Sequence, residues 1–169
     1  MNTARILYSI LNVIIFLLLI GIGLGIFFFV MILFGVKQDF LGIDEGLVSF
    51  KTEAMLYVYT ILRLGVYVVF VVTLWNMRKA TKLLLKKDFY NKELINALST
   101  SGKLMVIAGI SSWCINGISN VFFKFKFLIG LSEKTLVYLL IIAMGLFFML
   151  ISTVLRDTKI IKEENDLTI

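Results

Sequence analysis

The chain has no histidine, no proline and a single cysteine, and no carboxylate lies inside any of its four long apolar runs. Each absence excludes something. Without histidine, the commonest metal ligand and the usual base near neutral pH are both missing. Without proline there are none of the proline kinks that often mark transporter substrate sites, so straight helices are expected. Cys114 has no second cysteine to pair with and lies in an apolar run, where a small buried hydrophobe is expected. Without an intramembrane Asp or Glu, the chain lacks the group that small proton- and cation-coupled pumps use to exchange ions. No nucleophile–base pair, metal-ligand cluster or phosphate loop stands out either, so neither a cofactor nor an enzymatic activity is expected.

What is present is apolar surface. Of 169 residues 60% are hydrophobic, and the mean hydropathy is +0.98. Soluble domains sit near 45–50% apolar, so the excess is read as contact with lipid. The first run is uncharged over 6–36. That is far longer than the roughly 7–15-residue apolar core of a secretory signal, and no clear Ala-x-Ala site follows, so it is read as a retained span. Spans are expected at about 8–34, 54–75, 104–123 and 135–155, with a tail over 156–169. Thr52, the serines Ser99 and Ser101, and Ser132 before Glu133 are residue types that cap helix starts. The fold class is therefore all-α, a four-transmembrane-helix bundle forming one membrane domain over 1–169.

Orientation follows from the basic residues. Arg5, the second connection (Arg78, Lys79, Lys82, Lys86, Lys87, Lys92, Lys103) and the tail (Arg156, Lys159, Lys162) carry most of the 17 Lys and Arg. Lys37, Lys51, Lys124, Lys126 and Lys134 lie on the other side. Cytoplasmic segments are enriched in Lys and Arg. Both termini are thus expected in the cytoplasm, in a multi-pass protein of the inner membrane, with Tyr8 and Trp75 at the inner boundary. The same bias accounts for the net charge of +6 and pI near 9.5, so no direct nucleic-acid partner is expected.

Arg63 is the one charged residue inside a run. A charge near the bilayer centre costs about 2.5–3.5 kcal/mol on insertion scales, so something must satisfy the guanidinium. Matching depths from Trp75 places Arg63 level with Gly21, with Ser112 and Asn116, and with Gly145, facing the bundle interior. On span three, Gly109, Ser112, Asn116, Ser119 and Asn120 recur at helical spacing and form a polar stripe. Interhelical hydrogen bonding explains such a stripe most simply. Arg63, Ser112, Asn116, Ser119 and Asn120 are the candidate intramembrane cluster. Gly21 and Gly25 form a G-x-x-x-G pair, expected to bring helices close within the molecule, with a homo-oligomer seam as the other use of the motif.

The second connection, 76–98, reads as an amphipathic helix that continues span two or lies in the interface. Arg78, Lys82 and Lys86 share one face, and Met77, Ala80 and Leu84 another. Membrane lipid is its expected partner, since anionic headgroups attract such bases. Asp88, Phe89 and Tyr90 interrupt it, and Asn91 caps a second short helix with Leu94, Ile95 and Leu98 on one face. The tail segregates its charges, basic up to Lys162 and then acidic through Glu163, Glu164 and Asp166, before ending in Leu167, Thr168 and Ile169. Arg78, Lys82, Lys86, Phe89, Glu163, Glu164, Asp166, Leu167 and Ile169 are the candidate partner-binding residues.

These features carry a resemblance. The four spans, the stretch Leu83-Leu84-Leu85-Lys86-Lys87-Asp88-Phe89 leading into 91–98, and the closing Lys162-Glu163-Glu164-Asn165-Asp166-Leu167-Thr168-Ile169 resemble a family of small bacterial four-span membrane proteins catalogued as a domain of unknown function. The resemblance extends over essentially the full length, and the closing motif is its specific part. Members often have proline before the central Phe, where this chain has Asp88. The resemblance implies a partner, because such proteins are often encoded beside a Cro/C1-type helix-turn-helix regulator. It supplies no catalytic residues. The expected function is a non-enzymatic regulatory membrane protein that binds a cytosolic partner; the alternative is a small transporter or channel subunit with an anion path near Arg63.

Overall fold

The computed structural model describes residues 2–34, 53–86, 90–124 and 133–166. These form four helices: α1 (Asn2–Leu33), α2 (Glu53–Leu85), α3 (Lys92–Lys124) and α4 (Glu133–Asp166). No strand occurs among the described residues. Each helix continues without interruption through its proline-free sequence. At 1.5 Å per residue, helices of 32–34 residues are about 48–51 Å long, against a hydrocarbon layer of about 30 Å. All four are long and apolar enough to cross a membrane.

The helices pack in chain order: α1 on α2, α2 on α3, α3 on α4. Successive helices are antiparallel. The start of α1 lies beside the end of α2, where Arg78 Nη2 donates to the Tyr8 hydroxyl at 3.2 Å. Farther along, Phe29 meets Tyr57 edge-to-face, with ring centroids 6.2 Å apart. α1 buries little besides Leu11 and Ile15, and its apolar remainder is the surface that lipid covers.

The tightest seam is between α3 and α4. A Cβ on Gly102 would stand 2.6 Å from the Gly145 carbonyl oxygen, and one on Gly145 would stand 2.8 Å from that of Gly102. Gly109 is similarly pressed against Ile142 and the Tyr138 carbonyl. One heptad from Gly145, the buried Ser152 donates its hydroxyl to the Ile95 carbonyl of α3 at 2.8 Å. Ile95, Gly102 and Gly109 thus face Ser152, Gly145 and Tyr138 in antiparallel order, each series stepping by seven residues. Lipid tails are as apolar as leucine, so membrane helices associate through close packing and interhelical hydrogen bonds rather than hydrophobic burial. Small residues at heptad spacing let two backbones touch along a stripe.

α2, packed between α1 and α3, buries Thr73 and Thr81, whose hydroxyls donate back to the carbonyls of Val69 and Met77. At the end of the molecule that carries both termini, α2, α3 and α4 meet around Leu94. There Ala80, Ala97 and Leu98 are buried, with Leu83, Leu84, Phe148, Ile151 and Leu155 against them.

Several sequence expectations change here. The basic segment after Trp75 is the last turns of α2, so the choice between a continued span and an interfacial helix falls to the former. The helix that Asn91 begins is no short element but the start of α3. Its cap is as expected, the Asn91 Oδ1 accepting the Glu93 amide at 2.8 Å. Ser99 and Ser101 therefore lie inside α3 and cap nothing; Ser101 is fully buried. Thr52 and Ser132 lie outside the described residues. Gly21 and Gly23 face open space and Gly25 meets only the Leu64 side chain, so the α1 glycines do not make the close approach expected of them. Cys114 is exposed rather than buried, because it lies on the face of α3 turned away from both neighbours.

Two predictions follow from the seam. Gly102→Leu or Gly145→Leu overpacks backbone against backbone and is expected to destabilise the protein by about 1–3 kcal/mol, whereas Gly21→Leu, which meets nothing, is expected to leave stability unchanged. Ser152→Ala is expected to cost about 0.6–1.7 kcal/mol for its interhelical bond. Thermal unfolding of each purified variant in one detergent reads both.

Candidate functional site

Farther along the row from the Leu94 cluster, α2, α3 and α4 enclose a partly open cavity of about 180 Å³. Tyr59, Arg63, Val66, Tyr67 and Phe70 line it from α2, Ser112, Ile115 and Asn116 from α3, and Tyr138 and Ile141 from α4. α2 and α4 are each packed on α3 but not comparably on one another, so α3 forms the floor and the other two the walls. No Asp or Glu among the described residues lines the cavity.

The Arg63 guanidinium donates from Nη1 to the Tyr59 hydroxyl, one turn earlier on the same helix, and stands 5.7 Å from the centroid of that ring. A phenol satisfies part of the guanidinium without introducing a second charge, and the ring face adds a cation–π contribution. Tyr67, one turn the other way, lines the same space. Arg63 forms no ion pair with a carboxylate among the described residues. The side chains of Ser112, Asn116 and Tyr138, which also line the cavity, make no hydrogen bond among the described residues either.

Arg63, Ser112 and Asn116 do come together, as the depth matching required. The other two neighbours do not. Gly145 is taken up by Gly102, and Gly21 is on α1, which packs chiefly on α2, and meets nothing there. Arg63 itself is exposed in this open cavity rather than enclosed. Ser119 is buried but is not part of the lining, and the Asn120 side chain lies outside the described residues. Sequence reasoning missed Tyr59, Tyr67 and Tyr138. The signal for the first two was present, since Tyr59, Arg63 and Tyr67 are four apart and therefore stack on one helix face.

The candidate partner-binding residues gather at the end with the termini. Arg78 is held between Tyr8 and Trp75, its guanidinium 5.5 and 5.2 Å from their ring centroids, so it ties α1 to α2 and is not open for docking. Lys82 and Lys86 are exposed. Lys79 meets Glu93 across the α2–α3 turn at 3.5 Å, an exposed pair worth at most about 1 kcal/mol. The tail continues α4 as helix to Asp166. Lys162 stands 5.1 Å from the Tyr90 ring centroid, which sets the end of α4 against the residues just before α3. Glu163 pairs with Lys159 at 3.6 Å; Glu163 and Glu164 are exposed, as are Ile160 and Ile161. Phe89, Leu167 and Ile169 lie outside the described residues, as does the Asp166 side chain.

Fold and composition define a multi-pass helical membrane protein, a four-helix bundle with long unbroken spans. The chain belongs to the DUF2975 family, described as a protein of unknown function, whose match covers residues 47–169 and so takes in α2 to α4 with their cavity. The resemblance read over the full length thus begins at residue 47, and α1 lies before the matched region. No curated protein and no solved structure matches the chain.

The Tyr59–Arg63 pair yields a prediction. A double-mutant cycle of Tyr59→Phe and Arg63→Gln is expected to give a coupling of about 1.5–3 kcal/mol, the range for hydrogen bonds to charged groups. Additive effects in thermal unfolding would mean that the guanidinium is satisfied elsewhere.

Proposed function

We propose that the protein is a non-enzymatic regulatory membrane protein whose termini-bearing end faces the cytoplasm and docks a cytosolic partner. The observation that carries this reading is the projection of α4. Its apolar part ends near Leu155, yet the helix continues through three more turns to Asp166. On that projecting part Ile160 and Ile161 are 48% and 58% exposed, and Glu163 and Glu164 stand beyond them. A helix outside the bilayer that presents adjacent isoleucines beside a carboxylate cluster is suited to a partner groove that is apolar with a basic rim. The exposed Lys82 and Lys86 of the adjoining α2 end extend the platform and attract anionic lipid. The family resemblance points to a helix-turn-helix regulator as the partner, held at the membrane or released from it. Such a protein carries basic surface for DNA, which an acidic helix complements.

Deletion of 163–169, and separately Ile160→Asp with Ile161→Asp, are expected to strip the partner from the protein purified from its native membrane, with the membrane fraction unchanged. An unchanged set of co-purifying proteins in both variants would remove the tail from the account.

The cavity at Arg63 favours a second reading, an anion path. On that reading Arg63→Gln abolishes anion flux from reconstituted vesicles while the folded protein persists; a purely structural arginine would instead lower stability and leave any residual flux unaltered.

A further inference from the structure

The cavity between α2, α3 and α4 combines three features. Among the described residues its only ionic group is a guanidinium, and that group has no carboxylate partner there. Three further residues with polar side chains, Ser112, Asn116 and Tyr138, line the same space, and their side chains have no hydrogen-bond partner among the described residues. The rest of the lining is apolar or aromatic, Val66, Phe70, Ile115 and Ile141 among it.

Depth narrows the ligand. Arg63 is twelve residues from Trp75 along α2, which is about 18 Å of helix and close to the middle of a hydrocarbon layer about 30 Å thick. Phospholipid phosphates are permanently charged and stay in the headgroup region. A weak acid with an apolar body enters the hydrocarbon in its neutral form, so it reaches this depth from the membrane itself. Size agrees. About 180 Å³ is slightly more than the roughly 150 Å³ cavity known to admit benzene, enough for a carboxylate and the first part of its apolar body. The opening of the groove between the walls of α2 and α4 leaves room for the remainder to lie against lipid.

We propose that this cavity is an intramembrane binding site for an apolar monocarboxylate, its carboxylate forked on Arg63 and its apolar body lying along Phe70, Ile115 and Ile141. One guanidinium edge engages the carboxylate while Nη1 stays on Tyr59, and Ser112, Asn116 or Tyr138 donates to the remaining oxygen lone pairs. The proposal rests on Arg63 being an anion site, as the second functional reading does, but not on conduction; binding without flux supports it and refutes that reading alone.

The test uses the full chain in zwitterionic lipid nanodiscs, titrated with decanoate labelled with carbon-13 at the carboxyl. Saturable binding with a shifted carboxyl resonance is expected. Arg63→Gln weakens it at least tenfold. Ser112→Leu, which fills the floor and leaves the arginine in place, weakens it likewise; should Arg63→Gln fail to fold, this variant decides. Acetate and inorganic phosphate are not expected to compete at the same concentrations. Undiminished binding in Ser112→Leu would overturn the proposal. So would displacement by acetate or phosphate, which would make the site one for soluble anions, or displacement by phosphatidylglycerol, which would make it a phosphate-headgroup site.

Discussion

Gly102 and Gly145 face each other across the α3–α4 seam with no room for a side chain between them, and much of the structure depends on that contact. Inside a bilayer the hydrophobic effect does not press one helix on another, so association rests on how many atoms two helices bring into contact. Glycines and a serine repeating at seven-residue spacing give α3 and α4 the closest approach available. The Ser152 bond to the Ile95 carbonyl then fixes the antiparallel register. With α4 committed to one side of α3 and α2 to another, α3 becomes the central helix. The remaining gap between α2 and α4 becomes the Arg63 cavity.

The cavity answers an electrostatic difficulty with sparse means. A guanidinium in the middle of a span needs partners, and the described lining offers no carboxylate. The α2 helix supplies a tyrosine one turn away on either side, and α3 and α4 contribute neutral donors. That arrangement lets the arginine stay in the membrane without cancelling its charge. A neutralised arginine would be only structural, whereas an arginine held by phenols keeps a net positive potential in a low-dielectric site. The termini-bearing end works differently. Its Leu94 cluster is a buried apolar region shared by α2, α3 and α4 and gives a firm base from which α4 projects.

Much of this architecture could be read from the sequence because long apolar runs without proline leave few alternatives. The four helices, the unbroken spans, the Asn91 cap and the shared face of Leu94, Ile95 and Leu98 were all legible from periodicity. The convergence of Arg63, Ser112 and Asn116 followed from depth alone, because antiparallel spans of similar length bring residues at equal depth close together. Which helix stands beside which is not fixed by depth. That is why equal depth sets Gly21 beside Arg63 although α1 packs chiefly on α2, and why the G-x-x-x-G of α1 suggests a close approach that Gly102, Gly109 and Gly145 make instead. Helix ends were misplaced for a related reason. Ser99 and Ser101 look like caps, but a serine in a packed seam serves as a small residue first. The burial of Cys114 was misjudged because apolar character in a membrane helix does not distinguish a face turned to protein from one turned to lipid.

The central claim is the α3–α4 register, since the row of helices, the floor of the cavity and the base of the projecting tail all follow from it. Disulfide trapping in a Cys114→Ser background tests it most directly, with Ile95→Cys and Ser152→Cys as one pair and Gly21→Cys and Tyr138→Cys as the other. Each pair joins residues at similar depth, but only the first is in contact here. Oxidation in native membranes is predicted to cross-link 95 to 152 within one chain and to leave 21 and 138 reduced. Cross-linking of 21 to 138 with none between 95 and 152 would contradict the helix order.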